Sequence, residues 1–164
     1  MLASDFEQIY RVEAAPLYGF LAYRTGDPDL AEDLLADTFE RALRARRRFD
    51  PLRGSRRTWL YSIALNCLRD RKRREGAEQR ALERSLPPAG GSPTTLEIVE
   101  RKLTLDAALS ALSDEEREAI ALRYGADLTL RQIATVTEQR RTTVEGRIYR
   151  GLAKLRDDLA EPPA

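Results

Sequence analysis

Residues 87–93 read Pro-Pro-Ala-Gly-Gly-Ser-Pro, and this run constrains the chain more than any other feature. Proline lacks the backbone N–H that a helix or a sheet interior needs, and glycine is a poor helix former. The wider stretch 75–93 is polar and cannot bury enough apolar surface to offset its ordering entropy. It is therefore expected to be a flexible linker between two units, residues 1–74 and 94–160. On either side the composition favours helix, with 24 Leu and 22 Ala against ten Val and Ile combined. Leu and Ala propagate helices, whereas β-branched residues favour strands. The expected class is all-α, two small helical domains joined by the linker.

In the first unit, Phe6, Ile9, Tyr10, Leu17, Phe20 and Leu21 recur at helical spacing from Asp5 to about Arg24. Pro16 is expected to bend or split that helix. Asp27-Pro28 reads as an N-cap followed by the first helical residue of a second helix. This helix is expected to bury Leu30, Leu34, Leu35, Phe39, Ala42 and Leu43 and to expose Asp29, Glu32, Asp33, Asp37 and Glu40. After a loop at 49–54, Ser55 can cap a third helix carrying Trp59, Leu60, Ile63, Ala64 and Leu68. That helix is expected to end in the basic run Arg69–Arg74.

In the second unit, a helix is expected from about Thr95 to Leu112. Ser113 with Glu116, Thr129 with Gln132 and Thr142 with Glu145 read as three capping boxes. They place helices near 114–124, 130–137 and 142–158, with Gly125 ending the first. Ile133, Ala134 and Val136 face inward from the short helix; Val144, Ile148, Leu152 and Leu155 do so from the long one. A short helix, a tight turn and a longer basic helix form a helix-turn-helix, whose second helix can present its N-terminal side chains to base edges.

The net charge of +1 conceals segregation. Residues 1–40 carry two Arg against nine Asp and Glu, and residues 41–74 carry thirteen Arg and Lys against two Asp. Residues 140–156 add six basic groups against Glu145 alone. Two separate basic stretches suit a polyanion held at two places. A solvated Arg-rich helix face explains either stretch singly.

Several function classes are excluded. The chain has no His, so Ser-His, Cys-His and His-metal chemistry are absent, and the single cysteine, Cys67, forms neither an internal disulfide nor a zinc site. No apolar run approaches the roughly 20 residues of a membrane span, and no N-terminal run resembles a signal peptide. No phosphate-binding glycine loop, metal cluster or nucleophile–base pair is visible. The expectation is a cytoplasmic, soluble, non-enzymatic protein with no catalytic residue, metal or cofactor.

The run from Phe49-Asp50-Pro51 through Arg53-Gly54-Ser55 and Trp59-Leu60-Tyr61 to Ile63-Ala64-Leu65-Asn66 and Asp70-Arg71 is the most specific stretch of the chain, and by it the chain resembles a bacterial sigma factor of the extracytoplasmic-function type. Gly26-Asp27, Ala31-Glu32-Asp33-Leu34 and Thr38-Phe39-Glu40-Arg41-Ala42-Leu43 precede it. The C-terminal part follows in Leu109-Ser110-Ala111-Leu112, Glu116-Arg117-Glu118, Leu122-Arg123-Tyr124, Ile133-Ala134, Thr143-Val144, Arg147-Ile148, Arg150 and Leu155-Arg156. The resemblance covers about residues 5–74 and 96–157. It implies a subunit that binds core RNA polymerase, recognises minus-ten and minus-thirty-five promoter DNA and assists melting. It also allows for an anti-sigma factor as a partner.

Residue by residue, the resemblance implies polymerase docking by Asp29, Glu32, Asp33, Leu35, Asp37 and Glu40. Ala36 stands where relatives often have Gln. Arg56, Arg57, Trp59 and Asn66 are implied at the minus-ten strand, where trapping an extruded base offsets lost stacking. Trp59 is either a stacking face or ordinary core. Arg71, Lys72, Arg73 and Arg74 are either phosphate contacts or cations suited to a helix C-terminus. At the minus-thirty-five element the implied residues are Arg141, Thr142, Thr143, Glu145, Arg147 and Arg150. Glu145 either accepts from cytosine N4 or closes a cap with Thr142. The turn Thr137-Glu138-Gln139 lacks the family's glycine, so Glu138 is expected to carry any left-handed conformation. A second reading is a free-standing helix-turn-helix regulator that uses only the C-terminal unit.

Overall fold

The computed structural model describes residues 3–83 and 110–160, which form six α-helices and no strand. Helix α1 (Ala3–Thr25) is continuous through Pro16. The carbonyl that Pro16 leaves without its helical partner belongs to Val12, a residue 60% exposed, where water can replace the bond. Helix α2 (Pro28–Ala45) starts where the sequence places it. The Asp27 carboxylate accepts from the N–H groups of Asp29 and Leu30 at 3.0 and 3.2 Å, with Pro28 at the first position. A 3-10 turn (Arg46–Arg48) leads into the 49–55 loop. The Ser55 hydroxyl then accepts from the Thr58 N–H at 3.1 Å as helix α3 (Arg56–Glu83) begins.

These helices bury one continuous apolar face. Leu17, Phe20 and Leu21 of α1 meet Ala31, Leu34, Phe39 and Ala42 of α2 and Leu60, Tyr61 and Leu65 of α3. Phe20 and Tyr61 pack edge to face with centroids 5.5 Å apart. Burial of such side chains, at roughly 25 cal/mol per Å² of apolar surface, holds the three helices together.

The second unit contains α4 (Asp114–Ile120), a π-helical turn (Ala121–Gly125), α5 (Leu130–Thr137) and α6 (Arg141–Ala160). Two of the three expected capping boxes form. Ser113 and Glu116 exchange both bonds at 3.0 and 3.2 Å, and Thr129 and Gln132 do so at 2.8 and 3.3 Å. Leu122, Leu128, Ile133, Val136, Val144 and Ile148 are buried beneath these helices.

The structure corrects several expectations. Helix α3 does not end in the basic run but continues to Glu83, so 75–83 are helical; pairs such as Arg71 with Glu75 at 2.7 Å support that extension. Residues 84–109, including most of the helix expected from Thr95, lie outside the described residues. Leu43 and Leu152 are 43% and 39% exposed, and Gly151 takes the inward place assigned to Leu152. The Thr142–Glu145 box does not form. Helix α6 already begins at Arg141, and Thr143 and Val144 donate to the Arg140 carbonyl at 3.0 and 3.2 Å. The exit from α4 is also not through a glycine cap. The chain unwinds through the π turn, with Ala126 N–H donating to Ala121 C=O at 3.0 Å, and Asp127 adopts φ 50°.

Candidate functional site

Asp29, Glu32, Asp33, Asp37 and Glu40 of α2 are all exposed, and Leu35 between them is half-buried. Asp37 and Glu40 have partners one turn away, Arg41 at 4.0 Å and Arg44 at 2.5 Å. Arg41 also donates to Asp70 of α3 at 2.8 Å, so the acidic strip is fastened along one edge. That bond and a second from Arg73 hold the Asp70 carboxyl below its ordinary range. Glu32 and Asp33 project on the solvent side.

At the start of α3, Trp59 is half-buried against Phe49 of the preceding loop, centroids 5.4 Å apart. Asn66 is exposed two turns further on. Both line a groove of about 300 Å³ whose opposite wall is Thr135, Val136 and Glu138 of the second unit. The structure does not bring Arg56 and Arg57 to this groove. Arg56 pairs with Asp5 at 3.3 Å, and Arg57 pairs with Glu13 at 3.4 Å while lying 5.8 Å from the Tyr61 ring centroid. Arg71, Lys72, Arg73 and Arg74 form an exposed basic stretch along α3.

The helix-turn-helix is complete in α5 and α6. Glu138 takes the left-handed conformation, φ 56° and ψ 38°, and its N–H reaches back to the carbonyls of α5. Arg147 of α6 donates to the Gln139 side chain, which joins the long helix to the turn. Arg141, Thr142, Thr143, Glu145 and Arg150 are exposed, so five of the six expected residues lie on the open side. Without the capping box, Glu145 is free to face a partner. Arg150 and Lys154 both turn toward Glu116 of α4, at 3.6 and 2.8 Å. Lys154, then the Ser113 N–H, hold the Glu116 carboxyl low despite its burial.

The sequence reading missed one residue on this face. Tyr149, 76% exposed, lies with Gly146 opposite buried Val144 and Ile148. The inward spacing of 144, 148 and 155 already implies that outward pair at a period of 3.6.

The two units touch. Helix α5 packs on α3 and the π turn packs on α1. Glu118 of α4 faces Arg24 of α1 at 3.9 Å and Arg69 of α3 at 3.4 Å, and Lys72 donates to Asp114. Burial pushes the Arg24 guanidinium below its ordinary range, against the pull of Glu118.

The structure thus joins an acid-faced helical unit to a helix-turn-helix unit. Two family models match, Sigma-70 region 2 over residues 9–78 and Sigma-70, region 4 over residues 102–155. The chain is 33% identical to the RNA polymerase sigma factor CarQ of Myxococcus xanthus, over 95% of this chain and 90% of that protein. It is also 33% identical to the ECF RNA polymerase sigma factor SigE of Mycolicibacterium smegmatis, over 96% of this chain and 62% of that longer protein. A solved sigma factor RpoE, in complex with the anti-sigma factor NepR from Bartonella quintana, shares the fold with a TM-score of 0.78. That likeness is at 23% identity and covers 98% of this chain and 100% of that one. The chain belongs to the sigma-70 family, among the extracytoplasmic-function (ECF) sigma factors.

No described helix is long and apolar enough to cross a membrane, and no group of potential metal ligands occurs among the described residues.

Proposed function

We propose that the chain is a promoter-specificity subunit whose two units, roughly 1–74 and 94–160, divide the work. The observation that carries this is the pairing of region 2 and region 4 matches on one chain, each over a folded helical unit. The acidic face of α2, with Asp29, Glu32, Asp33, Asp37 and Glu40 around Leu35, docks core RNA polymerase through charge complementarity. Trp59 and Asn66 take the melted minus-ten strand, Trp59 by stacking and Asn66 by hydrogen bonds to a base edge. Arg71, Lys72, Arg73 and Arg74 hold its phosphates. Arg56 and Arg57 join them only by leaving Asp5 and Glu13. The exposed face of α6, with Arg141, Thr142, Thr143, Glu145 and Arg150 and with half-buried Arg147 beside them, enters the major groove at the minus-thirty-five element.

The described arrangement is a closed one, because α5 and Glu138 wall the groove that holds Trp59 and Asn66. Promoter engagement therefore requires the two units to part. An anti-sigma factor that keeps them together is a fitting further partner, and the chain works in the cytoplasm without catalytic chemistry of its own.

The test is transcription from a supercoiled promoter pool by core polymerase with this chain added. Promoter-dependent transcripts are expected. Their absence, with a polymerase that initiates normally with another sigma factor, would overturn the proposal in favour of a free-standing DNA-binding regulator.

A further inference from the structure

A cavity of about 340 Å³ lies where the two units meet. Leu30 and Leu34, one turn apart on α2, and Leu68 of α3 give it an apolar floor. Arg24 of α1 stands beside them, and Asp114 and Glu118 of α4 line it from the second unit. That volume is at the small end of ligand pockets, which combine an apolar lining with a few placed polar groups.

Most of the charge around the cavity is neutralised in pairs. Arg71 bonds Glu75 at 2.7 Å, Lys72 donates to Asp114, and Arg69 meets Glu118 at 3.4 Å. Glu115, also on the lining, is exposed, where salt screens it. Arg24 is the exception. Its side chain is only 9% exposed, yet Glu118, already shared with Arg69, stands 3.9 Å away, beyond hydrogen-bond length. Nε of Arg24 is buried and has no hydrogen-bond partner among the described residues. Leaving a desolvated, charged donor unsatisfied is costly, so buried guanidiniums are normally paired and hydrogen-bonded. One carboxylate between two guanidiniums, with a donor unmet, calls for a second oxyanion.

We propose that this cavity binds a small amphipathic anion, whose carboxylate or phosphate head meets Arg24 and whose apolar body lies on Leu30, Leu34 and Leu68. Either head accepts two parallel N–H bonds from a guanidinium, so Nε and a terminal nitrogen are satisfied together. Because the walls come from both units, an occupant favours the closed arrangement to the extent that it binds this better than the parted one. The closed arrangement covers Trp59 and Asn66, so the ligand lowers transcription. Binding stands on the cavity alone; its effect on transcription rests on the sigma-factor reading.

The experiment titrates the isotope-labelled full chain with octanoate, octyl phosphate and octanol, following amide and arginine Nε–H signals by NMR. At least one anion should bind about 10- to 100-fold more tightly than octanol, the range of a charge-assisted hydrogen bond. It should also shift the Arg24 Nε–H signal, which is identified by its loss in Arg24→Gln. The tighter anion names the head. Arg24→Gln should keep octanol binding and lose the preference for anions, a separation that collapse of the cavity would not give. Anions bound no better than octanol, or a preference that persists in a folded Arg24→Gln chain, overturns the proposal. In transcription with core polymerase, the tighter anion should lower the wild-type yield. A bound anion that leaves the yield unchanged overturns the closing role. A chain that binds the anion but drives no transcription under any condition fails the sigma-factor reading and leaves the site standing.

Discussion

Glu118 Oε1 stands 3.4 Å from Arg69 Nη2, although the two residues are 49 positions apart and belong to different units. The second oxygen of the same carboxylate lies 3.9 Å from Arg24, whose side chain is only 9% exposed. One carboxylate on α4 thus answers a cation on α1 and another on α3. A desolvated group left without its partner costs about 1–3 kcal/mol.

Reversing that carboxylate is expected to open the molecule. Glu118→Arg would place a third cation beside Arg24 and Arg69, and the radius of gyration from small-angle X-ray scattering should rise while helix content by circular dichroism stays level. Added salt should shift the wild-type chain in the same direction, since exposed pairs such as Lys72 with Asp114 are screened. An unchanged radius for a folded Glu118→Arg chain would contradict this role.

Acid should act on the same contact. The hydrogen bond from Lys72 holds the Asp114 carboxyl below its ordinary value. A carboxyl whose folded pKa is depressed contributes stability above its unfolded value, near 4, and loses it as pH falls through the folded one. The thermal midpoint of wild type should therefore exceed that of Asp114→Asn at pH 6, with the gap closing below pH 4. A gap independent of pH would exclude the charged pair as its source.

The turn of the helix-turn-helix offers a stabilising change. Glu138 sits at φ 56°, a conformation that costs an L-residue roughly 1–2 kcal/mol and glycine little. Allowing for the greater freedom of glycine in the unfolded chain, Glu138→Gly should stabilise by about 0.5–1 kcal/mol. Calorimetry should show a midpoint raised by a few degrees. A lowered midpoint would mean that the Glu138 side chain contributes more than its backbone costs.

Two glycines predict opposite effects of one substitution. A Cβ at Gly151 would lie 2.6 Å from Ile120 Cδ1, whereas one at Gly19 meets nothing within 4 Å. Gly151→Ala should destabilise by about 1–3 kcal/mol through overpacking between α6 and α4. Gly19→Ala, exposed within α1, should stabilise by up to about 1 kcal/mol through helix propensity. Equal shifts in urea midpoint would contradict the packing account.

Local chemistry was the legible part of this fold. Asp27 with Pro28, Ser113 with Glu116, and Thr129 with Gln132 start helices as their side-chain geometry demands, and Glu138 turns left-handed for want of a glycine. Thr142 with Glu145 has the same spelling and fails, because Arg140 ends the turn early enough for α6 to begin at Arg141, two residues before the start that a Thr142 cap would set. Leu43 and Leu152 fit the apolar period yet face water, since the period does not say how wide a stripe the neighbouring helices cover. Partners across the units were not legible at all. No local rule pairs Arg24 with Glu118 or Lys72 with Asp114. The same limit applies to Arg56 and Arg57, whose acidic partners Asp5 and Glu13 come from another helix.

The most direct test of the sigma-factor account is the affinity of the purified chain for bacterial core RNA polymerase. The account predicts co-elution in size-exclusion chromatography, lost when exposed Asp33 and Asp37 are both changed to Lys although the helix content is retained. A double variant that still co-elutes would contradict the acidic face of α2 as the docking surface. No co-elution of the wild-type chain with an active cognate polymerase would contradict the account as a whole.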